Sequence, residues 1–150
     1  MRILILCVLL VLASTVSAAE SYLCVADKST GFKYNKQTKR WDYSRFNVRE
    51  RRWIIRAPNL DEIKQLNSAP AFVVIGLGET FPESLCEKPF TDAGTLVCRG
   101  VWDFKFSKDR LRYVAVYPMG YWMDSSEGSG DLFVEGKNDL AIEIGRCSPF

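Results

Sequence analysis

Short runs in which apolar and polar residues alternate dominate the chain beyond residue 20, and this pattern constrains the fold more than any other feature. In Trp102-Asp103-Phe104-Lys105-Phe106 the aromatic side chains fall on one side of an extended backbone and the charged ones on the other. Leu111, Tyr113, Ala115 and Tyr117 repeat the pattern, so one face of each strand is expected to be buried and the other wet. Such runs predict strands over 22–27, 31–35, 41–46, 52–56, 72–77, 95–99, 101–106, 111–117, 131–135 and 140–146, separated by Gly, Pro, Asn, Asp and Ser. That is more than one flat sheet holds comfortably. The expected fold is all-β: a small antiparallel β-barrel of about eight to ten strands with one short helix, the alternative being a two-sheet β-sandwich. The helix is expected after Pro58. There Asn59 can cap the first turn, Glu62 can complete a capping box, Leu60, Ile63 and Leu66 mark one face, and Asn67 and Pro70 stop the element. Phe32-Lys33-Tyr34-Asn35-Lys36 followed by Trp41-Asp42-Tyr43 is faintly echoed by Phe104-Lys105-Phe106-Ser107-Lys108 followed by Leu111-Arg112-Tyr113. Each reads as a hairpin, and two copies are too few for a repeat architecture.

The first 18 residues stand apart. Met1-Arg2 is a short positive start, residues 3–13 are unbroken apolar, and Val16-Ser17-Ala18 supplies small residues before a cut. This is the pattern of a secretory signal peptide over 1–18, with cleavage after Ala18 or Ala19, and it is too short for a membrane anchor. Residues 19–150 then form a single domain. No second apolar stretch approaches spanning length, and the most flexible segment is expected at 124–130, Asp-Ser-Ser-Glu-Gly-Ser-Gly. Cys7 leaves with the leader. Cys24, Cys86, Cys98 and Cys147 remain, an even number in an exported chain, which favours two disulfides. Of the three possible pairings, Cys86 with Cys98 and Cys24 with Cys147 is expected: the first two flank a Pro/Asp/Gly segment, and the others sit in strand-like runs near the two mature ends. A zinc site is disfavoured because there is no Cys-x-x-Cys pair and no histidine.

The absence of histidine also removes Ser-His and Cys-His nucleophile pairs, and no Gly-x-Ser-x-Gly elbow, Walker loop or dinucleotide fingerprint is present. No cofactor, no metal and no catalytic residue is therefore assigned. A carboxylate pair could still act as acid and base, but nothing selects a pair, and each acid is expected on the solvated surface. Charge is distributed unevenly. Residues 28–56 carry ten basic side chains against Asp42 and Glu50, whereas residues 69–150 hold eight basic and twelve acidic. Arg49, Arg51 and Arg52 beside Trp53 are candidates for a binding patch, and Tyr121 with Trp122 is the most suggestive aromatic pair. Near-zero net charge argues against nucleic acid as the partner.

Three segments carry a resemblance: Cys24-Val-Ala-Asp-Lys-Ser-Thr-Gly-Phe, Phe104-Lys-Phe-Ser-Lys with Leu111-Arg-Tyr, and Ile142-Glu-Ile-Gly-Arg-Cys-Ser-Pro. Together with Trp41 they resemble a group of small exported proteobacterial proteins of unknown function, which implies a periplasmic or secreted location and leaves activity blank. Tyr22-Leu23-Cys24 gives a weaker likeness to periplasmic lysozyme inhibitors, small disulfide-linked β-barrels that open with a Tyr-x-Cys strand. The expectation is an exported binding module for an unknown small ligand or protein partner. The alternatives are an inhibitor of a hydrolase such as lysozyme, or a carboxylate-dependent enzyme.

Overall fold

The computed structural model describes residues 20–35, 37–122 and 139–150. The expected leader, the 124–130 loop and the 131–135 strand lie outside these residues. Strands β1 (Tyr22–Asn35), β2 (Arg40–Phe46) and β3 (Arg52–Arg56) precede helix α1 (Leu60–Leu66). Then come β4 (Phe72–Gly76), β5 (Ser84–Cys86), β6 (Thr95–Gly100), β7 (Asp103–Ser107), β8 (Arg112–Tyr117), the single-turn α2 (Met119–Trp122) and β9 (Leu140–Pro149). The strands pair antiparallel in the order β2-β1-β3-β4-β5-β6-β7-β8-β9, and β9 pairs back onto β1. The sheet therefore closes into an eight-stranded barrel with β2 as an extra strand, and the sandwich alternative is overturned.

β1 does the closing. Its first half pairs β3 and its second half pairs β2 along one edge, while β9 runs the length of the other. The two strands expected at 22–27 and 31–35 are thus one. A register shift between Ala26 and Lys28 changes which residues face inward: Tyr22, Cys24 and Ala26 are buried before it, Ser29 and Gly31 after it. Phe32 consequently stands 44% exposed on the outside. Gly31 does not break the strand; a Cβ there would sit 1.9 Å from the Leu140 carbonyl oxygen, so glycine marks the close approach of β9.

The interior is filled by side chains. Trp53, Phe104, Phe106, Ile55 and Leu96 are fully buried, and each contributes about 1.5–3 kcal/mol relative to exposure. Phe104 stacks on Tyr113 at 4.7 Å between ring centroids, and Tyr22 meets Phe106 edge-on at 4.7 Å. This apolar interior is the reverse of the polar lumen of membrane-spanning barrels, and no helix among the described residues is long and apolar enough to cross a membrane. Both expected disulfides form, Cys24–Cys147 and Cys86–Cys98. Cys24 and Cys147 are register partners at the β1/β9 seam, as adjacency of the terminal strands requires. Stable cross-links of this kind fit folding in an oxidising compartment.

Helix α1 starts and stops where the sequence indicates. Asn59 and Glu62 form the reciprocal capping box, and Asn67 ends the helix in the left-handed conformation. Its packing differs from expectation. Leu60 is 76% exposed, whereas Glu62 is buried. The cause is Arg56 at the end of β3, whose guanidinium donates to both Glu62 carboxylate oxygens at 2.8 and 2.6 Å. The same carboxylate accepts the Asn59 backbone N–H.

Candidate functional site

Alternation along β9 decides the site. Cys147 must face inward to reach Cys24, so Gly145, Glu143 and Ala141 face inward too, and Ile142 and Ile144 are left 45% and 48% exposed outside. A carboxylate with 1% of its side chain exposed therefore occupies the barrel interior. Burying a charge costs several kcal/mol unless donors and a counter-charge surround it. Here they do. Glu143 Oε1 accepts the Trp53 indole N–H at 2.6 Å and the Tyr113 hydroxyl at 2.8 Å, and Oε2 lies 3.7 Å from Arg51 Nε. Burial first, and Glu143 second, push the Tyr113 hydroxyl well above its ordinary range, which keeps it a donor. Gly145 makes the room: a Cβ there would fall 2.2 Å from the Val25 carbonyl oxygen and 2.5 Å from the Tyr113 ring.

Arg51 caps this end of the barrel. The turn between β2 and β3 is fixed by Asn47 Oδ1 accepting from Arg49 N–H and Val48 carbonyl accepting from Arg51 N–H. The Arg51 carbonyl accepts from Ala26 N–H beside the β1 bulge. The side chain is thereby aimed inward, its guanidinium 5.5 Å from the Trp53 ring centroid and 5.2 Å from that of Trp102, with 43% still exposed. Trp102 is itself held, its carbonyl accepting the Ser84 hydroxyl at 2.6 Å, and Tyr117 packs against it at 5.3 Å.

Two hollows open around Arg51, and Glu83 lines both of them. One, about 360 Å³, is bounded chiefly by Ser29, Phe46, Trp102, Tyr117 and Asp139; the other, about 410 Å³, by Asn47, Trp53, Leu77 and Glu79. Burial raises the Glu83 carboxyl and Glu79 raises it further, against the opposing pull of Arg51. The Tyr117 hydroxyl is also raised, first by burial and then by Glu83 and Asp139. Among the described residues no group of three His, Cys, Asp or Glu side chains converges as a metal-ligand set.

Of the residues singled out by sequence, Arg51 and Trp53 meet in this mouth. Arg49 and Arg52 occupy the same turn region, with Arg52 Nη1 donating to the Arg49 carbonyl at 3.3 Å. Tyr121 lies elsewhere, 66% exposed in α2, its ring 5.4 Å from Trp41 of β2, which in turn meets Tyr34. Trp122 closes α2, and its side chain lies outside the described set. Glu143, Glu83, Trp102 and Tyr117 were not singled out by sequence. Glu143 contradicts the expectation of a solvated acid, and the signal that locates it is its even spacing from Cys147. Glu143 is engaged by two protein donors and an arginine, and the Ser84 hydroxyl donates to the Trp102 carbonyl. No protein-family model, curated protein or solved structure matches the chain.

Proposed function

We propose that this chain is an exported binding protein, periplasmic or secreted, that recognises its ligand at the Arg51 mouth of the barrel. The single observation that carries the reading is the buried Glu143. It holds an exposed arginine across two indole rings at the opening of an otherwise filled barrel, so the site is fixed before any ligand arrives. Each hollow has the size of a small-ligand site; the one beside Tyr117 combines aromatic walls with a few polar groups, whereas the one beside Trp53 is lined mainly by charged and polar side chains. The leader pattern and the two disulfides support export. Native mass spectrometry of protein recovered from its own compartment tests the binding claim. A bound species on the wild type that is lost from Arg51→Ala and Tyr117→Ala supports it. The reading fails if no species is retained and extracts of that compartment leave the Trp53 and Trp102 indole resonances unmoved.

A further inference from the structure

We propose that the group taken by the Tyr117 side of the mouth is an organic cation, an ammonium or guanidinium; this rests on the mouth being the binding site. Charge pairing gives the first argument. In the 360 Å³ hollow Arg51 is matched by Glu143 beneath it, whereas Glu83 and Asp139 have no ion-pair partner among the described residues. Among the described residues the opening thus carries an excess of negative charge, which Arg51 offsets only in part at Glu83, and both acids act on the Tyr117 hydroxyl. The walls give the second argument. Phe46, Trp102 and Tyr117 surround the same space, and aromatic faces backed by carboxylates favour cations over anions or neutral groups. The chain itself shows that the Trp102 face accepts a cation, since the Arg51 guanidinium carbon sits 5.2 Å from its centroid. An anion approaching Arg51 through this hollow would meet Glu83 and Asp139, which line it.

The test is an NMR titration of the exported protein at constant ionic strength, read at the Trp102 indole N–H and the Tyr117 ring. The probes are butylammonium and benzamidinium, their neutral counterparts butanol and benzamide, and acetate and phosphate. Expected are saturable shifts with the two cations only, weakened about tenfold by Glu83→Gln and again by Asp139→Asn, the loss of one charged contact each. A lysine-bearing peptide added in parallel separates the sources: binding at least tenfold tighter than butylammonium shows that a protein side chain carries the cation, and equal binding shows a free amine. Shifts with acetate or phosphate and none with the cations overturn the cation assignment while leaving the mouth as a binding site. Cation shifts unchanged in both variants overturn it as well. If no probe of any charge moves Trp102 or Tyr117, the proposed binding site itself falls.

Discussion

At the scale of single residues, Glu143 and Gly145 set the end of the barrel between them. Removing the Glu143 carboxylate leaves the Trp53 N–H, the Tyr113 hydroxyl and Arg51 without their shared acceptor. Glu143→Leu is therefore expected to cost about 3–5 kcal/mol. Glu143→Gln keeps a carbonyl for the two donors and should cost less than half as much. Urea denaturation measures both, and equal losses would mean that the charge, not the acceptor, holds the network. Gly145→Ala is expected to cost at least about 1–3 kcal/mol by overpacking, and Tyr113→Leu in the same chain should not rescue it, because the Val25 carbonyl oxygen still lies 2.2 Å from the new Cβ. Much of this was hidden in the sequence for a definite reason. Ile142-Glu143-Ile144 taken alone reads as two buried isoleucines around an exposed acid, and only the inward commitment of Cys147 inverts it.

At the scale of elements, helix α1 and the two hairpins were legible because their signals are local. The cap of α1 is written in Asn59 and Glu62, but burial of Glu62 depends on Arg56 in another element, which no helical periodicity encodes. Its consequence is a pH dependence. Arg56 first, and the Asn59 backbone donor after it, hold the Glu62 carboxyl below its ordinary value of 4.5 although burial opposes them. The folded state therefore binds this proton less readily than the unfolded state. The stabilisation is present above the ordinary carboxylate range and lost as pH falls through the depressed folded value. Glu62→Gln should be less stable than the wild type by about 1–2 kcal/mol near neutral pH, and the gap should close in acid, read as urea midpoints across the titration. The β1/β2 and β7/β8 hairpins that echo one another in sequence share a turn design. Each closes on a residue pair, Asn35 with Arg40 and Ser107 with Arg112, after a final turn residue at positive φ, Lys39 at 53° and Leu111 at 50°. Exposed Lys39→Gly should gain about 0.5–1 kcal/mol by removing left-handed strain. Leu111→Gly should lose stability, because Leu111 also packs against the core. The three-residue β5 was not legible, being too short for a period-two pattern to register.

At the scale of the whole molecule, closure was legible through the cysteines rather than through the strands. A run of short strands suits a barrel or a sandwich equally, but joining Cys24 to Cys147 makes the first and last strands neighbours, and only closure does that with one sheet. What the pattern could not convey is the phase change at Ala26–Lys28, which turns the second half of β1 over and frees it to carry β2 outside the barrel. The two disulfides accordingly differ in kind. Cys86–Cys98 joins β5 to β6 across 12 residues, whereas Cys24–Cys147 spans 123 and fastens the seam. Chain-entropy reasoning assigns about 3 kcal/mol to the short loop and about 5 kcal/mol to the long one. Cys24→Ala with Cys147→Ala should therefore lower the urea midpoint more than Cys86→Ala with Cys98→Ala. The seam variant should also release the mouth, because Glu143 and Cys147 lie on one face of β9 and are held to β1 by the same ladder. Reduced protection of the β1/β9 amides from hydrogen exchange, together with shifted Trp53 and Trp102 indole signals, is expected in the seam variant and not in the other. Equal destabilisation by the two pairs, with the mouth unchanged in both, would show that the β1/β9 ladder closes the barrel without the help of its cross-link.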